Sequence, residues 1–529
     1  MRILLILSIA ALPWVLEWYR ARCCRHEECD PMTPSALPPA KPPQDRRAGV
    51  MLHPSSLPGG GVCGDLGAEA RYFVNFLVDC GLSVWQMLPV GPTLSEGSPY
   101  QTSSVHAGNP RLIALEPLLA RGWLLGLPDY TLEDPYRAQS TALGHAFAGF
   151  QAHAAAQERA ALDAFSAEHG YWLADYALFR ALWEEQGRPW WLWPEPLRDR
   201  DPEALAAARA RLAAALAYIH FEQFLFFSQW QELRDYANGR GVRLFGDLPI
   251  FVAHDSAEVW ARPQDFDLNP DGTTRTVAGV PPDYFSATGQ RWGNPLYAWQ
   301  RMEQNGFAFW IERLRTQLRL FDLIRIDHFR GFESFWEIDG SEPLATNGRW
   351  VKAPGAALFT RLTEVFGTLP LVAEDLGVIT PEVTALRKQF GLPGMKVLQF
   401  AFTGEPDNPY VPFRHERDAV VYTGTHDNDT TVGWFESQSD GAKGYIYEFL
   451  GHSQEAMPWP LIRAALASRC DLAILPMQDL LALGSEHRMN VPGVAGYNWS
   501  WRFTWPMVPP ETPARIRRQL EIYQRLAPG

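Results

Sequence analysis

Eight short apolar runs that alternate with helical stretches predict a (β/α)8 barrel. Each run is continuously apolar and is bounded by turn residues, which is typical of a strand buried on both faces. Runs that alternate with helices favour parallel strands in a closed barrel over an open sheet. The predicted strands are 48–52, 83–89, 242–252, 323–328, 371–374, 397–401, 419–422 and 472–475.

Helical periodicity appears between several of these runs, at 307–320, 356–366 and 381–390. Thr380 precedes Pro381, which predicts an N-cap followed by proline at the first helical position. The interval between the second and third strands is far too long for one crossover. Residues 93–240 include Ala-rich, charged helical segments, such as 202–218 with its continuation to 236, and therefore predict a helical subdomain inserted in a barrel loop.

The first 45 residues differ from the rest and are expected to be an extension that precedes a catalytic barrel at 46–529. An apolar run at 3–16 has the length of a signal peptide, and residues 31–43 form a Pro-rich linker. Three interpretations are open: an export signal, a membrane anchor, or an upstream extension of the true reading frame with Met32 as an alternative start. We favour the last.

Composition excludes some classes of function. A net charge of −13 and a pI near 5.5 argue against a nucleic-acid partner, because no basic excess is available to neutralise phosphates. The 21 Trp residues fit core packing and, for a few of them, platforms for the apolar faces of sugar rings. The six cysteines show no disulfide framework and no familiar zinc spacing, so we expect structural thiols and no metal.

Three carboxylates, Asp327, Glu374 and Asp427, each follow an apolar run where it ends. Parallel barrels place their catalytic groups at the C-terminal ends of strands. Retaining glycosidases need one carboxylate as nucleophile and one carboxylic acid to protonate the leaving oxygen. Arg325 lies on the same strand face as Asp327 and would keep it ionised. The alternative is that the three are unrelated surface or capping carboxylates.

Two further motifs resemble ligand-binding sequences but match them only in part. The glycines at 59–64 formally match a dinucleotide fingerprint, but Pro54 and Pro58 separate them from the strand, and the next strand lacks the acidic residue that would bind a ribose. Residues 267–272 resemble half of a calcium loop, with Ala278 where a bidentate Glu is needed. We therefore predict a ligand-facing loop, a turn and no cofactor.

Two stretches dense in Gly and Pro, at 90–104 and 279–297, are predicted to be loops. Their aromatic and polar side chains suit a groove that offers ring-stacking faces and hydroxyl partners, although ordinary surface loops explain them equally well.

The motifs RIDHFRG, AEDLG, THDND, GDLPIFVAHDSAEVW, AGVPPDYFS and GQRWGNPLY together resemble the amylomaltases, the bacterial 4-α-glucanotransferases. The likeness runs from about residue 47 to NVPG at 490–493. It implies an α-amylase-type barrel with inserted subdomains and no separate C-terminal β-domain. It also implies transfer of α-1,4-glucan segments to an acceptor 4-hydroxyl through a covalent glucosyl-enzyme (EC 2.4.1.25).

The resemblance assigns roles residue by residue. It implies that Asp327 is the nucleophile, Glu374 the acid/base and Asp427 the carboxylate that stabilises the transition state. The residues that it implies for the glucan site are Tyr100, Ser98, Asp247, Asp283, Tyr284, Gln290, Trp292, Arg325 and His426.

The resemblance also implies α-1,4-glucans and maltooligosaccharides as partners, no stable membrane partner and a cytoplasmic location, with the apolar run at 3–16 leaving export or anchoring open. The nearest alternative is an α-1,4-glucan hydrolase on the same fold. A non-catalytic glucan-binding scaffold and a nucleotide-dependent oxidoreductase are the alternatives from other classes.

Overall fold

The computed structural model describes residues 46–131, 134–282, 286–494, 496 and 498–527. The expectations for residues 1–45 lie outside this part of the chain. The strands of the described residues are β1 (Arg47–Met51), β2 (Val84–Gln86), β3 (Arg243–Pro249), β4 (Thr276–Val280), β5 (Gln290–Pro295), β6 (Leu323–Asp327), β7 (Ser334–Asp339), β8 (Arg349–Lys352), β9 (Leu371–Ala373), β10 (Gly394–Val397), β11 (Ala419–Tyr422) and β12 (Leu472–Pro476).

Eight of these strands form the predicted parallel barrel, in the order β10-β11-β12-β1-β2-β3-β6-β9. Every ladder in this sheet is parallel. A single backbone hydrogen bond, from the Ala373 N–H to the Pro393 carbonyl at 2.8 Å, joins the two ends β9 and β10. The (β/α)8 prediction is confirmed.

One predicted strand is misplaced. The run 397–401 was expected to pair, but β10 occupies Gly394–Val397 and a 3-10 turn follows at Leu398–Phe402. Residues 394–397 match 419–422 of β11 one for one, and this register decides the pairing. Gly394 and Lys396 made the true strand look less apolar than the turn behind it.

Alternate residues of the strands fill the barrel interior, as the period of two requires. Met51, Val84, Phe245, Met395 and Tyr422 are among the buried side chains of this inner cluster. Gly49 lies on the same face of β1 as Met51, and a Cβ there would stand 2.3 Å from the Val84 carbonyl oxygen. Glycine at this position therefore lets β1 and β2 approach closely.

The helices surround the barrel and extend one of its loops. Those of the described residues are α1 (Ala68–Cys80), α2 (Glu116–Ala120), α3 (Pro135–His153), α4 (Ala156–Glu168), α5 (Gly170–Gln186), α6 (Glu195–Arg198), α7 (Pro202–Arg211), α8 (Ala213–Asn238), α9 (Ala257–Ala261), α10 (Trp299–Gln304), α11 (Ala308–Leu320), α12 (Gly355–Phe366), α13 (Pro381–Gln389), α14 (Thr431–Glu436), α15 (Asp440–Phe449), α16 (Trp459–Ala467), α17 (Met477–Leu480) and α18 (Thr512–Ile522). Helices α2 to α8 lie between β2 and β3.

The helices predicted from periodicity are present as α11, α12 and α13, each within a residue of its expected bounds. Thr380 stands at the N-cap position of α13 with extended backbone, but its side chain makes no capping hydrogen bond. Pro381 at the first helical position, with its fixed φ, is therefore the stronger start signal.

A second sheet, antiparallel and ordered β5-β4-β7-β8, lies beside the barrel. The prediction that 279–297 is all loop is therefore wrong, because β4 ends within this stretch and β5 lies entirely within it. Gly279 pairs with Arg291 and leaves no room for a side chain, since a Cβ would meet the Gln290 carbonyl at 2.3 Å. Glycines that a close strand pair requires were read as loop glycines.

The helices within the described residues include none that is both long and apolar enough to cross a membrane.

Candidate active site

The carboxyl ends of three barrel strands carry the predicted carboxylates. Asp327 is the last residue of β6, Glu374 directly follows β9, and Asp427 lies in the loop after β11. Strands β6 and β9 are neighbours, and the backbone bonds Glu374 N–H to Ile326 O (3.0 Å) and Phe329 N–H to Glu374 O (3.2 Å) continue their pairing past the strand ends. Asp327 and Glu374 are thus fixed on adjacent strand ends by the ladder itself.

Arg325 is the central cation of the site. Its guanidinium donates two hydrogen bonds to Asp247 of β3, from Nε to Oδ1 at 3.0 Å and from Nη2 to Oδ2 at 2.8 Å. Nη2 also donates to Asp327 Oδ1 at 2.9 Å and to the Tyr100 hydroxyl at 3.2 Å. The Tyr100 hydroxyl in turn donates to Asp247 Oδ2 at 2.6 Å. One buried arginine therefore connects the predicted nucleophile with two predicted substrate-binding residues.

Glu374 is held by backbone amides rather than by a charged partner. Its Oε2 accepts the His328 N–H at 2.8 Å, and its Oε1 accepts the Leu376 N–H at 3.0 Å. His328 reaches this position in the left-handed region, at φ 54° and ψ 50°, which is uncommon for a residue with a side chain and is typical of functional sites. The carboxyl group is thereby fixed in orientation whether or not it carries a proton.

Burial is the largest influence on both carboxyl groups. It raises the pKa of both Glu374 and Asp327, and the positive charge of Arg325 opposes it at each of them. The two groups titrate as a pair, so one proton is shared between them over the middle of the range. The Asp327 side chain keeps 32 % of its surface exposed and has the arginine bond, and both features favour its charged form.

Asp427 approaches the site from the loop after β11, two strands beyond β9 around the barrel. Its Oδ2 lies 3.3 Å from Nε2 of the buried His426, and its Oδ1 accepts a hydrogen bond from the Asn490 side-chain amide at 2.6 Å. The His426 ring stacks on Tyr100 with centroids 5.3 Å apart and planes 14° from parallel. Through Tyr100 this group reaches Arg325, and the site becomes one connected network.

The remaining predicted binding residues lie at the rim or outside the described residues. Trp292 of β5 packs edge to face against His328 at 4.9 Å and donates from Nε1 to Gln290 Oε1 at 3.1 Å. The Ser98 hydroxyl accepts the Tyr100 N–H at 3.3 Å and so holds the turn that presents Tyr100. Asp283 and Tyr284 lie outside the part of the chain that the structure describes.

Two residues without a predicted role support Asp427. Besides the Asn490 amide, Arg488 donates from Nη2 to the Asp427 backbone carbonyl at 2.9 Å. Asn490 begins the NVPG segment at 490–493, near the end of the resemblance to the amylomaltases. Its contact with Asp427 spans 63 residues of the chain, so no local sequence signal marks it.

A parallel barrel with an arginine-paired carboxylate and an amide-held carboxyl on adjacent strand ends fits the class of enzymes that process glycosidic bonds with two carboxyl groups. The sequence profile of the 4-alpha-glucanotransferase family, glycoside hydrolase family 77, matches residues 52–507. The chain belongs to this family. A retaining transferase of this kind moves an α-glucan segment from a donor to an acceptor.

Individual relatives agree with this assignment. A 4-alpha-glucanotransferase of Thermus thermophilus is 51% identical over 502 residues, covering 91% of this chain and 99% of the relative. One from Synechocystis is 48% identical and covers 87% of this chain and 94% of its own length. Among solved structures, an amylomaltase from Streptococcus agalactiae in complex with acarbose is 35% identical and superposes with a TM-score of 0.88, covering 91% of this chain and 99% of that one.

Proposed function

We propose that Asp327 is the nucleophile of this 4-α-glucanotransferase, Glu374 its acid/base and Asp427 the carboxylate that stabilises the transition state. The observation that carries the proposal is the hydrogen bond from Arg325 to Asp327 beside the amide-held Glu374. It keeps one carboxyl charged for attack, while burial raises the pKa of the other so that it retains a proton near neutral pH.

In the first step Glu374 gives its proton to the glycosidic oxygen of the donor. The bond from that oxygen to the anomeric carbon breaks, and an Asp327 oxygen forms an ester bond to the same carbon. The positive charge that develops on the sugar ring is stabilised by Asp427, whose position depends on His426 and Asn490. The leaving glucan departs with the proton.

In the second step the 4-hydroxyl of an acceptor glucan replaces the departed segment. Glu374, now a carboxylate, takes the hydroxyl proton while the hydroxyl oxygen attacks the anomeric carbon. The ester bond to Asp327 breaks and returns its electron pair to the carboxylate. The products are a lengthened acceptor and an enzyme in its starting protonation state.

The substrate class rests on the polar and aromatic groups around these carboxylates. Asp247, Arg325 and His426 offer hydrogen-bond partners for sugar hydroxyls, and Tyr100 and Trp292 offer ring faces. We infer α-1,4-glucans and maltooligosaccharides as donors and acceptors, which agrees with the acarbose complex of the streptococcal amylomaltase. The net charge of −13 supports the expectation of no nucleic-acid partner. A cytoplasmic location without a stable membrane partner is part of the same proposal.

Products from maltotriose separate transfer from the hydrolase alternative. Transfer yields glucose together with longer oligomers, whereas hydrolysis yields only shorter sugars. We expect longer oligomers as the main products, and a product set without them would contradict the transferase assignment.

The nucleophile is tested by Asp327→Asn. The amide can still accept the Arg325 hydrogen bond but cannot form the ester, so disproportionation of maltotriose should be abolished while the circular dichroism spectrum and melting temperature stay close to those of the wild type. A folded variant that still disproportionates maltotriose would show that another group attacks.

A further inference from the structure

The barrel has one seam, between β9 and β10, and it lies directly beneath Glu374. The backbone bond from Ala373 N–H to the Pro393 carbonyl joins the two strands there, where the other barrel strands share ladders. One step further along, the Asp375 carboxylate replaces a strand carbonyl, and its Oδ1 accepts the Met395 N–H at 2.7 Å. A side chain thus closes the barrel at this level.

The second oxygen of Asp375 has its own partner. Arg387 of α13 places Nε 3.2 Å from Oδ2, and both side chains are almost fully enclosed, with 6 % and 8 % of their surfaces exposed. Arg387 is itself held in place, because its Nη1 donates a hydrogen bond to the Leu392 carbonyl at 2.8 Å. Gly394 completes the arrangement, because a Cβ there would stand 2.5 Å from Asp375 Oδ2. Asp375 and Arg387 therefore form a buried ion pair, and Gly394 leaves room for it.

This ion pair can act directly on the predicted acid/base, because Asp375 is the next residue in the chain after Glu374. Glu374 and Asp375 are adjacent, so in extended backbone their side chains leave on opposite sides, one to the site and one to the seam. Fixing Asp375 fixes the backbone of Glu374. We propose that Asp375, with Arg387, is a positioning residue that sets both the placement and the proton affinity of Glu374.

Charges that face the two carboxyls decide the expected direction. Asp375 raises the pKa of Glu374, although less than burial does, and the positive charge of Arg325 lowers it. Burial raises the pKa of Asp375 itself, and the Met395 N–H, Arg387 of α13 and Lys396 of β10 act against this shift. The other facing groups are Asp327 beside Glu374, Tyr410, and Glu416 paired to Arg387.

The test replaces Asp375 with Asn, which keeps an acceptor for the Met395 N–H but removes the charge. Glu374 should then ionise at lower pH, and the basic limb of kcat/KM for maltotriose should move to lower pH. Asp375→Ser, whose hydroxyl can also accept the N–H, makes the same prediction should the Asn variant not fold.

Asp322 provides a matched control at the other end of the barrel. It has the same kind of partners as Asp375, since its Oδ2 accepts the Leu244 N–H of β3 at 2.8 Å and its Oδ1 pairs with Arg234 at 2.7 Å. Asp322→Asn should lower stability without moving the limb. An unmoved limb in a folded Asp375 variant, or an equal shift in Asp322→Asn, would overturn the inference.

The inference rests on the proposed role of Glu374, and an activated donor tests that role separately. Fluoride leaves α-maltosyl fluoride without needing a proton, so Glu374→Gln should form the intermediate from this donor while losing activity on maltotriose. Equal losses on both donors would refute the acid/base assignment. A normal result with this variant and an unmoved limb in Asp375→Asn would refute only the role of Asp375.

Discussion

The two ends of the barrel each bury an arginine, and the two arginines have opposite surroundings. At the carboxyl end, Arg325 is bonded to the carboxylates of Asp247 and Asp327. At the amino end, Arg525 is fully buried and is bonded to backbone carbonyls, among them those of Leu466 and Cys470 at 2.7 Å each. Arg325 therefore pairs with charged side chains, whereas Arg525 holds backbone segments together.

The amino-end arginine connects segments that are far apart in sequence. Arg525 follows α18 and donates to the carbonyl of Arg47, where β1 begins, and to that of Ser468, just after α16. Burial lowers the pKa of Arg525 to about 9, which still leaves it charged at neutral pH. Its charge satisfies carbonyls at the closed end of the barrel. The difference teaches that this barrel separates stability from chemistry by giving its buried cations different partners.

The largest expected effect comes from Arg325→Met, which should lower kcat/KM for maltotriose about 10²–10³-fold, as loss of a preorganised electrostatic partner does. Asp327 would lose the charge that keeps it ionised. Arg325→Lys, which keeps the charge but not the paired geometry with Asp247, should lose less. If Arg325→Met destabilised the fold but left kcat/KM of the folded protein unchanged, the proposed contrast between the two ends would be wrong.

Arg525→Met should show the reverse pattern. Several carbonyls would lose their buried donor, so the free energy of unfolding should fall by about 3 kcal/mol while kcat of the folded protein is unchanged. Arg518 on α18 is the matched control, because its side chain is mostly exposed and pairs with Glu521 at the surface. Arg518→Met should leave the melting temperature as it is. A fall in kcat for Arg525→Met at temperatures where it is folded would contradict the separation.

Asn490→Ala sharpens the comparison within the carboxyl end. The variant removes the amide that donates to Asp427 Oδ1 at 2.6 Å, and a hydrogen bond to a charged group of this kind corresponds to about a tenfold fall in kcat/KM. Asn490→Asp should be worse, since it would place a second carboxylate against Asp427. Equal activities of the wild type and both variants in a maltotriose assay would remove Asn490 from the site.

The smallest effect is a pH dependence without any mutation. Because the pKa of Glu374 is raised to about 7 and the first step needs its proton, kcat/KM for maltotriose should fall as the pH rises through about 7. With α-maltosyl fluoride the same limb should vanish, since that donor needs no acid. A limb that is identical for the two donors would assign the titration to another group.

The sequence was enough for the barrel because its strands are continuous apolar runs, a signal that depends on burial alone. It failed where burial was not the deciding force. Strand β10 was misplaced because its register with β11 outweighs the greater apolarity of 398–402. Strand β5 and the end of β4 were read as loop because the close pairing that explains Gly279 appears only in three dimensions. The support that Asn490 gives to Asp427 also depends on a contact across 63 residues.

The central claim is that Asp327 forms the covalent bond to the sugar. Glu374→Gln, incubated with a maltotriosyl fluoride that lacks its terminal 4-hydroxyl, should accumulate the intermediate, because this donor cannot serve as an acceptor and the base for release is missing. Mass spectrometry of the digested protein should then find one trisaccharide on the peptide that contains Asp327. Two results would contradict this claim. One is a trisaccharide on the peptide that contains Asp427 instead, and the other is a burst of released fluoride with no sugar attached to the protein.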